Sequence, residues 1–187
     1  VQYTELCNDK VMGKAFDNRA GCAVMVETMR LLKDIDCTVC AVGTVQEEVG
    51  LRGAAVAAFG VDPDVALALD VTTSGDVPGV KETDTNIKMG KGPALTVTDS
   101  GLITHPKILC WLQETANKEN IDIQLESGLP GSTDAARIAL TRQGIPSGTI
   151  SIPTRYIHSP VSVMNLKDVE NSAKLAASAI QRIKKHF

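Results

Sequence analysis

Apolar positions along the chain fall into two rhythms, which divide it into alternating helices and strands. Residues 18–33 predict an amphipathic helix with Ala23, Val26, Met29 and Leu31 or Leu32 facing inward and Asp17 or Asn18 as its cap. The β-branched run 37–45 predicts a buried strand that ends in Gln46-Glu47-Glu48. Residues 51–59 are Ala-rich and helical, stopped by Gly60, and 65–69 form a second strand ending at Asp70. Residues 72–100, rich in Gly, Thr, Asp and Lys, read as extended segments joined by loops. Next come a helix from a Thr104 cap to about Asn117, a strand at 121–125 and a Gly/Pro loop at 126–131. Ser132 caps a helix reaching Gln143, residues 145–152 are a strand, and a loop then carries His158. Residues 167–185 close as a long helix with Val169, Ala173, Ala176 or Ala177 and Ile180 inward. The first dozen residues are polar and carry no clear signal.

Strands alternating with helices predict an α/β protein with a largely parallel sheet covered by helices. No repeat or linker divides the 187 residues, so a single domain is expected. A net charge of −3 gives no basic footprint for nucleic acid. No apolar run approaches the roughly 18–20 residues needed to cross a bilayer, so no membrane partner is expected. One Trp, two Tyr and three Phe leave little on which to stack bases or sugars. The five cysteines are odd in number, and Cys37 and Cys40 would point to opposite faces of their predicted strand. Buried, reduced thiols and a cytoplasmic setting are the expectation.

In an open α/β sheet, ligands bind beyond the carboxyl ends of the strands. Three predicted strand ends carry metal-type ligands: Glu47 and Glu48, Asp70, and His158; Asp17 stands at the start of the first helix. Carboxylate oxygen and imidazole nitrogen suit zinc, manganese or cobalt. Each residue also has an ordinary structural reading. Asp17 is an N-cap, Asp70 a turn residue, the Glu pair a solvated surface feature and His158 incidental to its loop. Against surface decoration stands the position of the Glu pair, between a buried strand and an apolar helix. His105 and His186 are left as incidental.

At these residues the sequence resembles the tetrahedral, or deblocking, metallo-aminopeptidase family, which includes glutamyl aminopeptidases. The resemblance rests on Ala15-Phe16-Asp17-Asn18-Arg19-Ala20-Gly21, Gln46-Glu47-Glu48-Val49-Gly50-Leu51-Arg52-Gly53-Ala54, Ala68-Leu69-Asp70-Val71-Thr72, Ser132-Thr133-Asp134-Ala135 and Arg155-Tyr156-Ile157-His158-Ser159. It implies a zinc-peptidase-like catalytic domain with two divalent ions, zinc or cobalt and alternatively manganese. Asp17 would bridge the ions, Glu48 and His158 would complete the ligands of one, and Asp70 would bind the other. Glu47 would be the general base, the substrates peptides read from their amino terminus. Asp134 and Arg155 receive only a supporting or substrate-side role.

The family pattern also has a His-x-Asp motif and an inserted β-rich oligomerisation domain, and nothing before Asp17 matches either. The resemblance therefore covers only the C-terminal half of the catalytic domain. With its Val1 start the chain is expected to be a truncated product or fragment, with one incomplete metal position and weak or no activity. Homo-oligomers are expected of the full-length protein. The rivals are an amide deacylase or carboxypeptidase using the same metal core, and a non-catalytic scaffold of the same fold. A sugar hydrolase is disfavoured because it needs two carboxylates flanking a sugar ring and has no use for His158.

Overall fold

The computed structural model describes residues 2–187, apart from the side chain of Leu129. Val1, on which the expectation of a cut start rests, lies outside the described residues. The architecture grows from one strand, β6 (Ser147–Arg155), whose residues are buried up to Thr154. Its neighbour β3 (Ala66–Thr73) runs parallel to it from Ala66 opposite Ser147 to Thr73 opposite Thr154. On the other edge of β6 lie β4 (Ala94–Asp99) and β7 (Ser162–Asn165), both antiparallel. The sheet continues from β4 to the parallel strand β5 (Gln124–Leu129). From β7 it continues through antiparallel β2 (Lys10–Gly13) to β1 (Thr4–Glu5). The expected α/β class and helix-covered sheet are present; the two longest ladders are parallel and the shorter ones antiparallel.

Side chains alternate across a sheet, and here the alternation separates packing from chemistry. Leu95, Ile150 and Ile152 point to one face. There they pack with α1 (Phe16–Leu31), α3 (Pro106–Glu119) and α5 (Leu166–Gln181) through Val24, Ile108, Trp111, Leu112, Leu175 and Ala176. The intervening positions Ala68, Asp70, Thr72, Thr96, Thr149 and Ser151 point to the other face. Only the short helix α4 (Asp134–Ala139) packs there, with Ala135 and Ala136 against Ala68; α2 (Arg52–Val61) lies against α4. The indole N–H of Trp111 is satisfied by Ala179 O at 2.9 Å.

Several expectations need correction. The buried face of α1 is Phe16, Ala20, Gly21, Val24 and Thr28, whereas Ala23, Val26 and Met29 are exposed. The helix is apolar on more than one side, so periodicity alone cannot choose the face. Small residues choose it, since a Cβ on Gly21 would collide with the Leu69 carbonyl of β3. Asn18 is the effective cap, accepting from Gly21 N at 2.9 Å through Oδ1. Downstream, His105 rather than Thr104 caps α3, accepting from Lys107 N. Thr104 instead donates to Thr96 O. α4 is shorter than predicted, and β5 runs into the predicted 126–131 loop.

The largest correction concerns residues 37–45. They form no strand ladder among the described residues, and Val45 is 66% exposed. A β-branched run becomes a strand only when a second backbone satisfies its N–H and C=O groups, and none lies alongside. The thiols are free as expected but not buried: Cys37 is half-buried and Cys7, Cys22, Cys40 and Cys110 are exposed. Hydrogen–deuterium exchange is expected to find the amides of residues 39–44 nearly unprotected and those of 149–152 among the slowest. Equal protection of the two segments would show that 37–45 is paired in solution.

Candidate metal and catalytic site

The site forms where three loops meet the polar face of the sheet. Asp17 enters at the start of α1, where Asp17 and Asn18 both have non-helical backbone angles. Asn18 ties this turn to β3, donating from Nδ2 to Leu69 O at 2.8 Å, one residue before Asp70. Glu47 and Glu48 lie in the turn after residues 37–45, closed by bonds from Gly50 N and Leu51 N to Glu47 O. His158 sits in the β6–β7 loop with a left-handed backbone.

The structure brings Asp17, Glu48 and His158 together. His158 Nε2 lies 3.1 Å from Asp17 Oδ2 and 3.1 Å from Glu48 Oε2. One ligand atom from each of the three falls within 4.8 Å of the others, a spacing and donor chemistry that fit a divalent ion. Glu47 and Asp70 line the same cavity but stand outside this triad. The cavity is about 330 Å³ and runs from Glu48 and His158 at its rim to Thr96, Glu126 and Ser151 on the sheet.

Crowded carboxylates raise one another's proton affinity. Burial, then the neighbouring Glu48, lifts Asp17 to about 6, with His158 pulling the other way. Burial also lifts Glu47 to about 7, aided by the charges of Glu48, Asp134 and Asp17. Asp70 rises to about 8, chiefly through burial; the Val71 N–H it accepts at 2.8 Å opposes the shift and the charges of Glu47, Asp17 and Asp134 add to it.

The supporting residues resolve differently. Asp134 accepts from Thr44 Oγ1 at 2.5 Å, which ties α4 to the segment that delivers the Glu pair. Arg155 makes a two-point pair with Asp76, Nε to Oδ1 at 3.0 Å and Nη2 to Oδ2 at 2.6 Å. It braces the β3–β4 connection and does not line the cavity. Glu126, Asp99 and Ser151 line the cavity, although nothing in the sequence reading singled them out. The available signal was the alternation of Ser and Thr with Ile in strands otherwise apolar enough to be buried.

Comparison with known proteins agrees with this geometry. A putative aminopeptidase of Acetivibrio thermocellus is 49% identical over 175 residues, covering 94% of this chain and 52% of its own length. The structure of an aminopeptidase from the archaeon Desulfurococcus kamchatkensis superposes with a TM-score of 0.94 at 46% identity, covering 96% of this chain and 51% of that one. A Pyrococcus horikoshii TET peptidase, described as assembling into a tetrahedron or a large octahedral shell, superposes with a TM-score of 0.83 at 28% identity, covering 95% and 52%. The chain thus spans about half the length of the curated relatives it matches. Residues 1–175 match the family described as M42 glutamyl aminopeptidase, and the chain belongs to that family.

Proposed function

We propose that this chain carries the greater part of the catalytic site of a metal-dependent aminopeptidase, which removes residues from the amino terminus of peptides. The observation that carries the reading is the convergence of Asp17, Glu48 and His158, with Glu47 beside them. In this reading Asp17 bridges two divalent ions, Glu48 and His158 complete the ligands of one, and Asp70 holds the other. The chain is the C-terminal half of a catalytic domain, and one ligand of the second ion belongs to sequence outside it. The full-length protein is a homo-oligomer.

Bound divalent ions would polarise the scissile carbonyl and acidify water. The remaining work falls to side chains. Glu47, with a proton affinity near neutrality, accepts the proton of the attacking water through its carboxylate. The oxygen of that water bonds to the carbonyl carbon, the C–N bond breaks, and Glu47 returns the proton to the departing amine. Asp134, bonded by Thr44, fixes the approach of the segment that ends in Glu47.

Calorimetric titration of the metal-stripped chain with zinc is expected to show one tight site, weakened roughly tenfold or more by His158→Ala. Two equally tight sites would overturn the incomplete second position. Absence of binding by folded protein would overturn the metal reading.

Protonation is linked to folding in the same site. Asp17, Glu47 and Asp70 have folded proton affinities raised above their unfolded values of 3.8, 4.5 and 3.8. The folded chain therefore binds more protons across that window. The stability they contribute is fully present below about 4 and is lost as pH climbs through about 6 to 8. The thermal midpoint of the metal-stripped chain is expected to fall over this range, and saturating zinc to cancel most of the fall. A midpoint that rises with pH in the metal-stripped chain would contradict the linkage.

A further inference from the structure

The proposed metal and base roles use Asp17, Glu47, Glu48 and Asp70, but the same cavity has a second, deeper group of acceptors. At its rim the His158 and Glu48 side chains are 69% and 56% exposed. At its inner end Glu126 is 5% and Ser151 1% exposed. Glu126 is held from two strands, its carboxylate accepting from Thr72 Oγ1 and from Thr96 Oγ1. Each carboxylate oxygen has a further lone pair. Asp99 uses Oδ1 to accept from Gly101 N, Leu102 N and Ser132 Oγ at 2.7–2.9 Å. Its Oδ2 is shut away from solvent with no partner among the described residues, and the same is true of Ser151 Oγ. Both residues line the cavity.

A buried acceptor without a donor costs free energy that a ligand can recover. Asp99 Oδ2, Ser151 Oγ and the spare lone pairs of Glu126 all ask for hydrogen, and two of the three groups are acids. No Lys or Arg is among the residues that line the cavity. An acidic side chain entering here would meet carboxylates with no basic partner, and an apolar one would leave the acceptors unmet. An ammonium or guanidinium brings several N–H donors and a positive charge together.

We propose that this inner end is a subsite for a cationic side chain, that of Lys or Arg as the first residue of the peptide. Glu126 and Asp99 supply the charge and Ser151 an additional acceptor. The inference rests on the aminopeptidase reading and names the substrate class of that site.

The test compares L-lysinamide, L-norleucinamide and L-glutamic acid α-amide as ligands of the zinc-loaded chain by calorimetry. Norleucine retains the four side-chain carbons of lysine and lacks only its ammonium. L-lysinamide is expected to bind about tenfold or more tightly than either of the others. In Glu126→Gln the preference over L-norleucinamide is expected to shrink to about threefold or less. Equal binding of L-lysinamide and L-norleucinamide overturns the subsite and leaves the aminopeptidase reading in place. A preference that survives unchanged in Glu126→Gln places the cation elsewhere and also overturns it. Binding of none of the three amides overturns the aminopeptidase reading, and the subsite with it. Should Glu126→Gln fail to fold, the comparison of ligands on the unsubstituted chain decides alone.

Discussion

Six carboxyl groups line one cavity, and His158 is the single basic side chain among its lining residues. This charge imbalance governs much of what the structure does. It drives the proton affinities of Asp17, Glu47 and Asp70 upward, so the chain alone meets the repulsion by binding protons. Bound cations would meet it differently, by leaving the carboxylates ionised and engaged. The site is thus an unstable arrangement of like charges that the rest of the fold must hold in place.

What holds it is the opposite face of the sheet. The packing of Ile150, Ile152 and Leu95 against α1, α3 and α5 builds the apolar core on one side only. The register of β3 on β6 then places Asp70 directly beside Ser151, both turned away from that core. Packing on one face secures the strands from which polar groups project on the other. Asn18, bonded both to Gly21 N and to Leu69 O, couples the turn carrying Asp17 to the strand carrying Asp70.

Much of this was legible in the residue pattern. The α/β class follows from alternating apolar runs, and the ends of the 65–69 and 145–152 runs do lead toward the site. The convergence of Asp17, Glu48 and His158 was legible only because several separate motifs pointed to one chemistry; each residue alone has an ordinary role. The failures share a cause, since they depend on what lies alongside. The face of α1 was misread because two of its sides are apolar and only Gly21 against Leu69 O decides between them. β7 is four residues long and exists through β2 and β6, so its own sequence says little. Glu126 was read as loop because the strand continues past the last apolar residue of its run.

Residues 37–45 were also misread, and their exposed backbone has a consequence for the site. Glu47 and Glu48 follow this segment within three residues, and Thr44 is bonded to Asp134. Ordering of the segment and ordering of the Glu pair are therefore one conformational event seen from two ends. By thermodynamic reciprocity, a backbone that docked along the segment would sharpen the affinity of the carboxylates for a cation. A cation held by Glu48 would, by the same factor, favour docking. Site and sheet edge are in this sense two ports of a single binding equilibrium.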